Sequence, residues 1–146
     1  HVWGEQVHCY HAGDSIAMVT GRRGRRIYET PAHSVLAQAT ELGLLRPHDP
    51  ALKEFESMLT NCLGADDMRI EVSAPVALRA FDTLYVTSDG ITDNLNIGVM
   101  AEINKRRDPL LLAQVALEQT ERHMGFASGK EDDATMLVLR PRKSLR

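Results

Sequence analysis

Aspartate residues stand beside the ends of three predicted strands, at positions Asp14, Asp89 and Asp132. Hard divalent cations such as Mg²⁺ and Mn²⁺ prefer oxygen ligands, and carboxylates supply them. A single site needs several carboxylates brought together from separated parts of the chain. The pattern therefore favours a divalent-cation site, although Asp89 followed by glycine is, taken alone, also a common turn signal.

Histidine and cysteine offer no competing metal-binding pattern. His8 and His11 are three residues apart, and along a strand that spacing places their side chains on opposite faces. We interpret both as ordinary strand residues. The two cysteines, Cys9 and Cys62, can form at most one bridge, and we interpret them as reduced core thiols of a cytoplasmic protein.

The stretch from Asp82 to Asp93 positions the central aspartate. Its apolar run Leu84–Val86 predicts a buried strand, and Gly90 permits a sharp turn after that strand. Asp89 would thus be held at the end of a strand by buried apolar neighbours.

Strand and helix signals alternate along the chain in a way that predicts an α+β fold. The predicted strands are Gln6–His11, Ile16–Thr20, Arg25–Glu29, Met68–Val72, Ala77–Ala80, Leu84–Thr87 and Ala134–Arg140. The predicted helices are Val35–Leu42, Pro50–Asn61, Ile97–Arg106 and Pro109–Met124. Ser34 and Asp108 are suitable N-cap residues, and Gly43 and Gly125 suit helix ends.

Composition bounds the class of protein. With 146 residues and 43% hydrophobic content, the chain is long enough for one domain, spanning residues 1–146, with a real core. The net charge of -3 gives no general attraction for nucleic acid or anionic membranes. No apolar run approaches the ~20 residues that a membrane-spanning helix requires, and no signal-peptide pattern is present.

Four arginines fall in the predicted hairpin turn after Ile16–Thr20, at positions Arg22, Arg23, Arg25 and Arg26. Such a run could bind an anion, a phosphorylated partner or nucleic acid, and a strong salt dependence would mark that function. The acidic net charge favours a solvated turn instead.

Four short motifs together resemble the metal-dependent PP2C-type (PPM) protein phosphatases, in particular their bacterial branch. In order, the motifs are Gly13-Asp14-Ser15, Thr30-Pro31-Ala32-His33-Ser34, Thr87-Ser88-Asp89-Gly90 with Asp93, and Asp132-Asp133-Ala134-Thr135. The resemblance implies an α-β-β-α sandwich of two antiparallel sheets flanked by helices. It also implies hydrolysis of phosphoserine and phosphothreonine in proteins by a metal-activated water, with Mn²⁺ or Mg²⁺ as cofactor and two or three ions in a complete domain.

Residue roles follow from the resemblance. Asp89 and Asp132 correspond to metal ligands, and Asp14 corresponds to an aspartate that, with Asp89 and with help from Asp93, holds a third ion. No catalytic side chain is implied beyond these ligands. The supporting positions implied by the same motifs are Ser88, Gly90, Asp133, Thr135 and His33, of which His33 is expected to be structural, packing the turn that starts the next helix.

Two features of the phosphatases have no counterpart in this sequence: the N-terminal Asp-Gly motif and the phosphate-binding arginine before it. We therefore expect the chain, which begins at His1, to represent roughly the C-terminal three fifths of a longer domain. Strands missing from both sheets would leave unpaired edges and exposed apolar surface. The absent N-terminal segment or a second chain would cover that surface.

Two functions from different classes follow. One is a phosphatase acting on phosphoproteins, without nucleic-acid or membrane partners. The alternative is a non-catalytic, phosphatase-like regulatory module that binds a partner protein, which the incomplete ligand set favours.

Overall fold

The computed structural model describes residues 1–44, 55, 57–95, 103 and 108–141. Its strands are β1 (Val2–Trp3), β2 (Gln6–Val7), β3 (Tyr10–His11), β4 (Ile16–Thr20), β5 (Arg26–Glu29), β6 (Glu71–Val72), β7 (Val76–Ala77), β8 (Thr83–Thr87) and β9 (Met136–Leu139). Its helices are α1 (Val35–Glu41), α2 (Asp89–Thr92) and α3 (Pro109–Met124), and a 3-10 turn spans Arg22–Gly24. None of these helices is long and apolar enough to cross a lipid bilayer.

The largest sheet is antiparallel, with the strand order β5-β4-β8-β9. Strands β4 and β8 are its two inner strands, and the last residue of β8, Thr87, is opposite Ile16 of β4 and Met136 of β9. The end of β8 therefore lies beside the beginnings of both neighbours. This register brings the three acidic turns to one edge of the sheet, because each turn directly precedes or follows one of these three strand ends.

Both faces of this sheet contribute to a buried core, which explains why Leu84 and Tyr85, neighbours in β8 that point to opposite faces, are both buried, whereas Val86 is exposed. Met18 and Tyr85 face one side and pack with Ile91, Leu112 and Ala116 of the helical layer. On the other side, the second core cluster combines residues of this sheet with residues of the second sheet. Its buried members are Val7, Cys9, Val19, Leu78 and Leu84.

The second sheet consists of two short ladders, β1-β2-β7 and β3-β6. Val7 pairs with Val76 and Tyr10 with Val72, so one strand contains an extra residue between these pairs. The irregularity lies around Ser73, whose hydroxyl accepts from the Cys9 N–H and whose own N–H donates to the Cys9 carbonyl, both at 2.9 Å. The prediction of one continuous strand over Gln6–His11 was therefore wrong, because a bulge divides it and leaves His8 outside any strand.

The helix ends agree with their local signals. Ser34 caps α1, its hydroxyl accepting from the Ala37 N–H at 3.1 Å, and Asp108 caps α3 by accepting from the Leu110 N–H at 2.9 Å. Gly125 closes α3. The predicted bounds of α3 are confirmed, and those of α1 are confirmed to within one residue.

Other predicted elements are shorter than expected or lie outside the described residues. The predicted helix Pro50–Asn61 extends too far, because residues 57–61 form a turn whose Leu59 makes an isolated bridge to Ser34; residues 50–54 and 56 are outside the described part. The predicted helix Ile97–Arg106 is also outside it, except for the buried, helical Ile103. The predicted strand Ile16–Thr20 is confirmed with the same bounds, and Leu84–Thr87 is confirmed with one more residue at its start. The other strand predictions hold in a shortened or shifted form.

Candidate functional site

Asp89 and Asp93 are placed side by side by one turn of helix at the end of β8. Asp89 is the first residue of α2, and its carboxylate accepts from the Gly90 N–H at 2.9 Å. The Asp93 N–H donates to the Asp89 carbonyl at 2.8 Å. Residues four apart in a helix share a face, so the two carboxylates lie on the same side of the turn.

Asp14 is carried by a turn that His33 holds on two sides. The Gly13 N–H donates to His33 Nδ1 at 3.0 Å, and the His33 N–H donates to the Gly13 carbonyl at 3.0 Å. Gly13 has φ +118, a conformation that favours glycine. His33 is only 3% exposed, so it connects the Asp14 turn to the start of α1 from a buried position.

A pocket of about 440 Å³ opens at this edge of the sheet. Three of the four predicted ligands, Asp14, Asp89 and Asp93, line it. Apolar side chains, including Met18 and Tyr85, form much of the remaining wall. The structure thus brings together carboxylates that are up to 79 residues apart, from Asp14 to Asp93, on one partly apolar surface.

The loop that carries Asp132 packs directly against the Ser88-Asp89-Gly90 turn. Ser88 joins the two, because its hydroxyl accepts from the Thr135 N–H at 3.0 Å and donates to the Asp133 carbonyl at 3.2 Å. A Cβ added to Gly90 would lie 2.5 Å from the Asp133 carbonyl oxygen. Asp132 does not line the pocket itself, and its carboxylate accepts from the Asp133 N–H at 2.7 Å.

The ionisable groups in and beside the pocket shift the pKa values of Asp14 and Lys130. Burial raises the pKa of Asp14, and the nearby carboxylates of Asp89 and Asp93 raise it further. Lys130 Nζ lies 2.6 Å from Asp93 Oδ2, and this hydrogen bond raises the pKa of the lysine, with Asp89 and Asp132 adding to the effect. Sequence reasoning missed Lys130; its position two residues before Asp132 was the available signal.

The donor set fits a hard divalent cation. It consists of carboxylate oxygens, the ligands that hard cations prefer, and the ammonium of Lys130 already pairs with the carboxylate of Asp93. The carboxylates share a pocket without forming a closed cage. Among the described residues, the group of three candidate ligands whose atoms lie within 4.8 Å of one another is a different one: His11, His33 and Glu71.

The cluster of His11, His33 and Glu71 has the wrong geometry and protonation for a metal site. The two rings stack with centroids 4.5 Å apart and 13° between their planes, so their in-plane lone pairs cannot converge on one ion. His33 Nδ1 accepts from a backbone N–H, so the neutral ring carries its proton on Nε2, which faces Glu71 at 3.4 Å. His11 Nε2 contacts the Pro31 carbonyl at 2.9 Å and must donate to it. Both nitrogens nearest the carboxylate are therefore donors.

Replacing Asp14 with asparagine should stabilise the metal-free protein at neutral pH. Folding raises the pKa of this carboxyl group above its ordinary value of 3.8. The group therefore contributes its full stabilising free energy at pH values below 3.8, and that contribution is lost as the pH rises through the pKa of the folded state. We expect a gain of roughly 0.5 kcal/mol in unfolding free energy at pH 7, since solvent screens this partly exposed group. Urea unfolding in chelator at pH 7 and pH 4 measures it. A stabilisation that grows at the lower pH would contradict this origin.

Comparison with known proteins gives matches in structure. No protein-family model matches the chain, and no curated protein matches it in sequence. The S. agalactiae serine/threonine phosphatase superposes with a TM-score of 0.79 at 22% identity, covering 96% of this chain and 56% of that one. The Mycobacterium tuberculosis serine/threonine phosphatase PstP/Ppp gives 0.75 at 20% identity, with coverages of 92% and 55%.

A third match is the catalytic domain of the serine/threonine protein phosphatase PstP in complex with 2 manganese ions, with a TM-score of 0.72 and 19% identity. It covers 94% of this chain and 54% of that one. The chain therefore has the fold of the bacterial PP2C-type phosphatases that its motifs resemble, and the fold-class prediction is confirmed. It spans slightly more than half the length of each of these three structures.

Proposed function

We propose that the acidic pocket binds Mn²⁺ or Mg²⁺ and that the chain forms part of a phosphatase domain that hydrolyses phosphoserine and phosphothreonine in proteins. The observation that carries this proposal is the meeting of Asp14, Asp89 and Asp93 at one pocket. It is supported by the fold, which is shared with a phosphatase whose structure contains 2 manganese ions. The free cysteines, Cys9 and Cys62, are in keeping with a cytoplasmic location.

In this proposal Asp89 and Asp132 are the principal ligands, and Asp14 and Asp93 complete a further site with Asp89. A divalent ion bound by such carboxylates supplies a water of lowered pKa as nucleophile and positive charge opposite the phosphate. The chain's own contribution is to hold the ligands in place. Ser88 does so by joining the two acidic loops, and His33 by fixing the turn before Asp14.

Further polypeptide would complete the domain. Ala17, Val86 and Leu137 lie side by side on the sheet face that packs against the second sheet, yet Val86 is 41% and Leu137 53% exposed. The neighbouring row on the same face, which includes Val19 and Leu84, is buried. We infer that the uncovered row is occupied by the rest of the fold, supplied by another segment or by a second chain.

The same uncovered row favours a second candidate function, a non-catalytic phosphatase-like module that binds a partner protein. An apolar surface of this kind is a usual feature of protein interfaces. The two candidates differ in one respect: the module needs no hydrolysis to act on its partner.

Hydrolysis of p-nitrophenyl phosphate and of a phosphothreonine peptide, each with Mn²⁺ and with chelator, tests the proposal. We expect Mn²⁺-dependent turnover by a form of the protein in which another polypeptide segment or a second chain covers Ala17, Val86 and Leu137. A protein that binds Mn²⁺ in that complete form but never hydrolyses either substrate would contradict the phosphatase function and leave the binding module.

A further inference from the structure

Lys130 is held beside the acidic pocket by a buried asparagine. Asn94, which is 5% exposed, accepts from the Lys130 N–H at 2.9 Å and donates to the Lys130 carbonyl at 2.7 Å. The same side-chain amide donates to the Gly90 carbonyl at 2.9 Å. One buried side chain thus ties the backbone of Lys130 to the helical turn that begins with Asp89. The position of the lysine is therefore built into the fold.

The ammonium group of Lys130 contacts one of the site's carboxylates and lies near two others. Its Nζ is 2.6 Å from Asp93 Oδ2, and the charges of Asp89 and Asp132 also act on it. Lys130 and Asp93 remain 39% and 36% exposed, so the long lysine stem can swing its head group into solvent without unpacking the core.

We propose that Lys130 is a tethered cation that competes with the divalent ion for Asp93 and stabilises the acidic pocket when no metal is bound. This inference rests on the proposed function only in requiring that the pocket bind a divalent ion. The ammonium reduces repulsion among like charges, and an ion that enters must displace it from Asp93 or bind beside its positive charge. Lys130 therefore lowers the affinity of the pocket for the ion.

The test compares Lys130→Gln with Lys130→Arg. Glutamine keeps the approximate length of the side chain and removes its charge, while arginine keeps the charge. Mn²⁺ titration of each chain, followed by electron paramagnetic resonance, should show about tenfold tighter binding by the glutamine variant. The arginine variant should stay within about twofold of the original protein.

A second readout does not involve titrating the metal. In chelator, Lys130→Gln should melt at a lower temperature than the original protein, and saturating Mn²⁺ should raise its melting temperature by more. Adding Asp93→Asn should remove most of the gain in affinity, because the contested carboxylate is then absent.

The outcomes separate this inference from the proposed function. Unchanged Mn²⁺ affinity in Lys130→Gln, an equal gain in Lys130→Arg, or no Mn²⁺ binding by any variant would overturn the inference. Tighter Mn²⁺ binding by Lys130→Gln alone, with no hydrolysis by any form of the protein, would support it and count against the phosphatase function.

Discussion

Replacing Asp89 with asparagine should reduce Mn²⁺-dependent hydrolysis by at least about 100-fold, because the substitution removes a ligand charge at the centre of the proposed site. Asparagine retains an oxygen that can accept from the Gly90 N–H, so the local turn keeps its hydrogen bond. The loss should therefore come from the site rather than from unfolding. Initial rates with p-nitrophenyl phosphate across Mn²⁺ concentrations, in the form of the protein that shows turnover, measure the effect.

Asp66→Asn is the matched control. Asp66 is an exposed aspartate in the loop after Cys62, outside the residues that line the pocket. The Asp66→Asn substitution makes the same chemical change as Asp89→Asn, and the Asp66→Asn protein should retain nearly all activity. Equal losses in the two variants would point to net charge, and activity retained by Asp89→Asn would exclude Asp89 as an essential ligand.

Replacing Gly90 with alanine should disrupt the contact between the two acidic loops. The added Cβ would lie 2.5 Å from the Asp133 carbonyl oxygen and 3.0 Å from its carbon, and backbone atoms cannot rotate away as a flexible side chain can. Gly90 lies within helix α2, so backbone conformation adds no penalty. We expect a loss of about 2 kcal/mol in unfolding free energy, typical of overpacking, together with weaker Mn²⁺ binding as Asp132 is displaced.

Gly125→Ala provides the comparison. Gly125 has φ -72, and a Cβ there would meet its nearest neighbour, the Arg122 carbonyl oxygen, at 3.4 Å. The same substitution should change stability by less than about 0.5 kcal/mol. Urea unfolding of both variants distinguishes local crowding at Gly90 from a general cost of the glycine-to-alanine change, and equal losses would contradict the crowding.

Elements with strong local signals could be predicted from the sequence. Asp108, Pro109 and Gly125 define both ends of α3, and Ser34 defines the start of α1, because caps act within a few residues of the helix they end. The strand leading to Asp89 was predicted for a related reason, since its apolar run ends directly at a turn.

Features that depend on distant contacts could not be predicted. The division of Gln6–His11 depends on pairing with β6 and β7, whose residues lie at least 60 positions later in the chain. The turn at 57–61 is held by bonds to the segment around His33, such as the donation of the Thr60 N–H to the His33 carbonyl at 2.9 Å. Lys130 lies two residues before Asp132 in the sequence, but its pairing with Asp93, 37 residues away, could not be predicted because only the fold brings the two side chains together.

The candidate site likewise has features that the sequence could predict and features that it could not. Motif order indicated which aspartates to consider, and the structure places Asp14, Asp89 and Asp93 at one pocket while Asp132 remains in the adjoining loop. Their roles as ligands stay predictions. Sequence spacing could not show that His33 lies under the Asp14 turn, because its partners are 20 and 28 residues away at Gly13 and Asn61.

Direct Mn²⁺ titration of the protein and of Asp89→Asn, followed by electron paramagnetic resonance, tests the central claim that the acidic pocket at the end of β8 is a divalent-cation site. We expect saturable binding by the original protein and binding at least about tenfold weaker in the variant, since one ligand charge is removed. Absence of saturable binding, or equal affinity in the two proteins, would contradict the claim.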